Sequence, residues 1–163
     1  MATEAELKQH RCCFTGHRPM KLTRPIEAVQ AELEKEIRLA VNEGFTVFIT
    51  GMAQGVDIWA AQTILRLRNE GRQLRLICAS PYEGFERRWS NNWKQQYNEV
   101  IQRADLVRFI CPDYSPSCFQ IRNEWMVHHA SRVIAVFNGE PSGTKNTIDF
   151  ARKQGVPVRV IEG

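Results

Sequence analysis

No stretch of the sequence approaches the roughly 20 consecutive apolar residues that span a bilayer. The N-terminus carries Glu4 and Glu6 where a signal peptide would be basic and then apolar, so a cytoplasmic protein with no membrane partner is expected. Close cysteine pairs are also missing. The five cysteines include no C-x-x-C, and Cys12 and Cys13 would face opposite sides of a strand. Reduced thiols are therefore expected and no metal site; Cys111, Cys118, His128 and His129 lack the spacing of a zinc set. Neither G-x-G-x-x-G nor G-x-x-x-x-G-K-[ST] occurs, which excludes the standard dinucleotide fingerprint and the P-loop. There is no Lys/Arg run, internal repeat or low-complexity tract. The net charge of +4 is dispersed, which suits an anionic ligand without demanding nucleic acid.

What is present is an ordinary globular composition, 43% hydrophobic and 25% charged, in 163 residues. That length suits one domain with a sizeable core, expected over residues 11–163 behind a flexible tail, 1–10. Short runs rich in Val, Ile, Phe and Cys read as buried strands: Cys12 to Thr15, Thr46 to Thr50, Leu74 to Ala79, Leu106 to Cys111, Val133 to Phe137 and Val158 to Ile161. Amphipathic segments lie between them. Helices are expected from Pro25 to Gly44, Val56 to Asn69, Glu86 to Arg103, Ser117 to His129 and Thr144 to Gln154. Strict alternation predicts an α/β fold, a Rossmann-like three-layer sandwich in which a mainly parallel sheet of about six strands carries helices on both faces.

In such a sheet every strand ends on one side, and ligands bind beyond those ends. Three glycine-bearing loops fall there. In "TGHRP" Gly16 turns the chain after Thr15 and throws out His17 and Arg18. In "TGMAQGVD" Gly51, Met52, Ala53 and Gly55 lead into a helix whose first N–H groups and positive dipole end suit an anion, with Asp57 in its first turn. In "NGEPSGTKN" Ser142, Gly143 and Thr144 open another helix. A fourth segment, "YSPSCFQIRNEW", brings Arg122 and Asn123 to the same edge, where a guanidinium fork can clamp phosphate or carboxylate.

Each feature also has a plainer reading. Gly51 and Gly55 permit a tight connection, Thr144 is an N-cap, Asp57 complements the helix dipole, and Arg122 pairs with Glu124 or Asp113. Phe85, Trp89, Trp93 and Tyr97 recur every four residues, a spacing that more often builds core. Tyr82 and Phe85, in the preceding loop, are the better candidates for stacking on a base.

The segments "CCFTGHRP", "FITGMAQGVDIWAAQ", "SPYEGFERRW" and "RNEWMVHHASRVIAVFNGEPSGTKNTIDFARKQGVPV" resemble, in order and spacing, the YpsA-like branch of the SLOG superfamily. That superfamily also contains the DprA DNA-processing proteins and the LOG phosphoribohydrolases. The resemblance runs from Arg11 to Ile161. It implies a pocket for a nucleotide or nucleotide-derived ligand, such as NAD, ADP-ribose or a nucleoside phosphate, lined by Thr15 to Pro19, Gly51 to Asp57, Arg122 with Asn123, and Gly143 with Thr144. It also implies a homodimer. Ser142-Gly143-Thr144 stands where many relatives read Gly-Gly-Thr, Thr147 stands at the LOG glutamate, and His128 stands where relatives often carry aspartate.

Three functions follow as expectations. The first is binding or sensing of a nucleotide ligand with no further cofactor: phosphates on the Thr144 and Val56 helix starts, Arg18 and Arg122 neutralising charge, Tyr82 near the base. The second is a nucleotide hydrolase with His17 as general acid or base and Asp57 as its carboxylate. The third is single-stranded DNA binding, with Trp89 beside Arg87 and Arg88.

Overall fold

In the computed structural model, which describes all 163 residues, six parallel strands form one sheet. The strands are β1 (Arg11–Gly16), β2 (Val47–Thr50), β3 (Arg75–Ser80), β4 (Leu106–Phe109), β5 (Arg132–Phe137) and β6 (Val158–Glu162). The helices are α1 (Glu4–Lys8), α2 (Ile26–Asn42), α3 (Val56–Asn69), α4 (Asn91–Arg103), α5 (Cys118–His128) and α6 (Gly143–Lys153). Spatial order is β4-β3-β2-β1-β5-β6, so the chain winds outward from β1 in one direction and then returns to its other side with β5. This is the expected three-layer Rossmann-like α/β fold. The reversal between β1 and β5 is the point where two neighbouring loops diverge and leave a crevice.

The alternation of side chains along β1 divides the core. Cys12 and Phe14 point into the larger apolar cluster with α2, α3 and α4; Cys13 points into the smaller one with α5 and α6. All five cysteines are free and buried, and burial pushes the Cys78 thiol up to about 12. Thiols so desolvated are inert packing groups.

Three expectations need correction. The tail is not loose throughout: Thr3 and Glu6 form a reciprocal capping box that starts α1, and Arg11 pairs with Glu4 at 2.5 Å. The helix expected from Glu86 begins only at Asn91, because the Ser90 hydroxyl accepts from the Trp93 N–H and caps it. Phe85 and Trp89 therefore sit in the preceding turns and pack on each other at 4.9 Å rather than sharing a helical stripe with Trp93. Burial on both faces holds for β1 and β5 but fails at the edge, where β4 leaves Leu106 and Phe109 exposed and stops short of Cys111.

Candidate functional site

The crevice lies at the C-terminal ends of β1, β2 and β5 and encloses about 310 Å³. Gly16 makes its floor close. A Cβ there would lie 2.6 Å from the Val56 side chain, so only glycine lets β1 end against the first turn of α3. His17 follows, buried, with its ring stacked on Phe137 at 5.7 Å. Its Nε2 accepts the backbone N–H of Asn138 at 3.0 Å, and a backbone N–H can only donate. The ring is therefore neutral with its proton on Nδ1, and burial holds its pKa below the ordinary histidine value. Arg18 is exposed, and its side chain makes no hydrogen bond or ion pair. Lys21, one turn on, opens onto the same space.

The loop after β2 is built around Asp57. The Asp57 carbonyl accepts from the Thr50 hydroxyl at 2.8 Å, and its Oδ2 accepts from the Ala53 N–H at 3.1 Å. These bonds tie both ends of the turn to the start of α3. Between them Met52 adopts φ of 65° although it is not glycine, a strained conformation that costs of order 1–3 kcal/mol and is held by its complete burial. Gly55 at φ of 93° completes the turn against Pro19.

From the other side α5 brings in Arg122, only 4% exposed. Its guanidinium donates to the Gly51 carbonyl and, at 2.7 Å, to Asn123 Oδ1. It neighbours Asp57 and not Glu124 or Asp113. Burial pushes the Asp57 carboxyl above the usual range against the pull of Arg122, and pushes Arg122 down against the pull of Asp57. Burial thus outweighs attraction for both members. Asp57 Oδ1 is buried without a hydrogen-bond partner.

At α6 the N-cap is Ser142, whose hydroxyl accepts from the Lys145 N–H at 3.1 Å; Thr144 is the second helical residue, not the cap. The Gly143 and Thr144 N–H groups precede any intrahelical acceptor and face the crevice side of the helix dipole. Thr147, at the LOG glutamate position, is buried and donates back to the Gly143 carbonyl at 2.8 Å. Asp149 is exposed and pairs with Lys145 at 2.7 Å.

The crevice thus gathers Thr15, Gly16, His17, Arg18, Ala53, Asp57, Arg122, Asn123 and the Ser142–Thr144 start. Gly51, Met52 and Gly55 shape its wall from beneath, and Tyr82 lies outside it. Two lining residues escape the sequence reading. Lys21 lies just beyond "TGHRP", and the ring of Phe119, three residues before Arg122, is the aromatic that reaches the crevice. No group of three or more His, Cys, Asp or Glu side chains is arranged to hold a metal ion, and no helix is long and apolar enough to cross a membrane.

The model of the YspA SLOG family matches residues 12–158. The chain belongs to that family. Among curated proteins it is similar to the uncharacterised prophage-derived protein YoqJ of Bacillus subtilis, 30% identical over 71% of this chain and 74% of YoqJ. It is also similar to a UPF0398 protein of Bacillus pumilus, 25% identical over 80% of this chain and 74% of that protein. Among solved structures, DprA from Streptococcus pneumoniae has a TM-score of 0.68 at 19% identity, covering 96% of this chain. The chain spans about half of that DprA, 52%. DprA from Helicobacter pylori, described for its single-stranded DNA binding mode, has a TM-score of 0.66 at 20% identity, over 98% of this chain and 68% of its own. At these identities the likeness to DprA is one of fold.

Proposed function

We propose that this family member binds, as a receptor or sensor, a nucleotide or nucleotide-derived ligand whose phosphate occupies the crevice. One observation carries the reading: Arg18 and Lys21, neither engaged in an ion pair, converge with buried Arg122 on the same space as the free N–H groups of α6. Cations without counter-ions beside a helix start are what a phosphate requires. Asp57 Oδ1 is the matching acceptor for a ligand hydroxyl such as that of a ribose, since a buried carboxylate oxygen without a donor is costly. NAD, ADP-ribose and nucleoside phosphates all carry this pair of groups.

Hydrolysis is less well supported. The His17 lone pair that a general base needs is committed to the Asn138 N–H, and Thr147 spends its hydroxyl inside α6. Single-stranded DNA, named for one DprA, offers phosphates to the same cations and belongs in the test.

The test is thermal unfolding against AMP, ADP, ATP, cyclic nucleotides, NAD, ADP-ribose and a short oligonucleotide. A ligand at a hundred times its dissociation constant stabilises by about 2.7 kcal/mol, or roughly 5 to 10 °C for this size. Arg18→Ala should leave the unliganded melting temperature unchanged, because the Arg18 side chain is exposed and unbonded and its one hydrogen bond, from the Lys21 N–H to its backbone carbonyl, survives the substitution. It should weaken binding about ten- to a hundredfold, the equivalent of the 1.5–3 kcal/mol typical of charged hydrogen bonds. Unaltered affinity in Arg18→Ala removes that residue from the site. A panel without any shift removes the nucleotide.

A further inference from the structure

Beside the crevice lies a second concavity, about 610 Å³ in volume, lined by Tyr82, Gly84, Phe85, Trp89, Tyr114 and the arginines Arg87 and Arg88. The two spaces are of opposite character. The crevice has Ala53 and Phe119 as its apolar lining and is otherwise polar or charged. In the groove four of the seven lining side chains are aromatic and none is acidic. Phe119 joins them: it lines the crevice while packing on Phe85 at 5.7 Å, on Tyr114 at 6.3 Å and on Tyr82 at 6.5 Å.

The loop "PYEGFERRW" is shaped to hold this groove open. Gly84 takes φ of 86°, and a Cβ on it would lie 2.9 Å from Arg87 Nη2, so the turn lets the guanidinium lie across the backbone. Arg87 and Arg88 are both exposed, and neither guanidinium forms a hydrogen bond or ion pair. Tyr114 is 62% exposed although it is large and aromatic, and its hydroxyl has no partner. An exposed ring beside unpaired guanidinium groups is an arrangement on which a planar base stacks.

Size points the same way. Sites for drug-sized ligands enclose roughly 300–1,000 Å³, and the crevice sits at the bottom of that range. It accommodates a phosphorylated sugar, and whatever that sugar carries must leave it. Phe119 marks the side on which an aromatic surface receives the remainder.

We infer that the Tyr82–Tyr114 groove is the base subsite of a bipartite site, in which a nucleobase stacks on Tyr114 between Arg87 and Arg88 while the attached sugar phosphate lies in the crevice across Phe119. The inference rests on the phosphate reading for the position of the sugar, but it has its own observable. Tyr114 discriminates ligands with a base from ligands without one.

The experiment is calorimetric titration of the full chain, of Tyr114→Ala, of Tyr114→Phe and of Arg18→Ala with AMP, adenosine and ribose 5-phosphate. Tyr114→Ala should weaken AMP and adenosine roughly 5- to 150-fold, the range that stacking on one aromatic side chain contributes. Tyr114→Phe should retain the parent affinity, and ribose 5-phosphate should bind Tyr114→Ala as it binds the parent. The inference is overturned if AMP binds Tyr114→Ala as tightly as the parent, or if ribose 5-phosphate is weakened equally. It is overturned also if neither AMP nor adenosine binds the parent, or if only an oligonucleotide depends on Tyr114. In each of these cases ribose 5-phosphate with Arg18→Ala still judges the crevice separately.

Discussion

Replacing Arg122 by methionine isolates the electrostatics of the crevice. The substitution keeps an unbranched chain of similar volume and removes the guanidinium that donates to the Gly51 carbonyl and Asn123 Oδ1. It leaves the Asp57 carboxylate 5% exposed, holding one hydrogen bond from the Ala53 N–H and no neighbouring buried cation. Arg122 and Asp57 make no direct hydrogen bond, the guanidinium being spent on Gly51 and Asn123, so the loss is that of buried polar groups left unpaired, about 1–3 kcal/mol, which for a domain of this size lowers the melting temperature by roughly 2–12 °C. The penalty should depend on pH with a definite sign. Burial already raises the Asp57 pKa above its unfolded value, and losing Arg122 raises it further. A group raised in the folded state contributes stability that is complete below its unfolded pKa, near 3.9, and lost as pH rises through the folded value. The gap between parent and Arg122→Met, measured by circular dichroism on heating, should therefore be widest above the raised Asp57 pKa and narrow as pH falls toward the unfolded value near 3.9. Asp57→Asn added to Arg122→Met should recover part of the loss at neutral pH, because the amide needs no counter-charge. A double variant no more stable than Arg122→Met, or a gap that does not change with pH, refutes the coupling.

Two further predictions concern the first loop. Gly16→Ala should destabilise by about 1–3 kcal/mol in urea unfolding, because its Cβ would overlap the Val56 side chain. Val56→Ala in the same chain should recover part of that loss; full stability of Gly16→Ala alone would mean that β1 and α3 can separate at no cost. For His17 the pKa is lowered, so the neutral ring contributes stability above the unfolded value of about 6.5 that is lost as pH falls through the folded one. Nitrogen chemical shifts should show Nδ1 protonated and Nε2 bare at neutral pH, and a protonated Nε2 would contradict the Asn138 bond.

The strands were readable because each is a short run rich in Val, Ile, Phe, Leu or Cys, and three of the inner ones, β1, β2 and β5, are the most fully buried by the parallel sheet. The limits of α3, Val56 to Asn69, match because Gly55 at positive φ leaves no other start. Expectation and structure part where local pattern and long-range packing compete. The four-residue spacing of Phe85, Trp89, Trp93 and Tyr97 continues through a cap, so periodicity alone could not reveal that Ser90 breaks it. The Thr3-x-x-Glu6 capping box is present in the sequence, and its signature was available to be read. Strand order, and with it the β1/β5 switch point, is fixed by which edges meet and leaves no local trace.

The juxtaposition of Asp57 and Arg122 is the clearest case of information that appears only on folding. Along the chain Asp57 is a first-turn acid and Arg122 a mid-helix cation, each with an adequate surface explanation. The fold buries both, and burial shifts both pKa values against their mutual attraction. A pair in which desolvation outweighs attraction is a poor device for stability alone. It leaves one carboxylate oxygen unpartnered in a crevice where Arg18 and Lys21 also lack counter-ions. An anion that also carries a hydroxyl would satisfy all of these groups at once. Ligand binding should therefore remove an electrostatic cost already present in the empty crevice, and Arg122→Met should lose ligand affinity as well as stability.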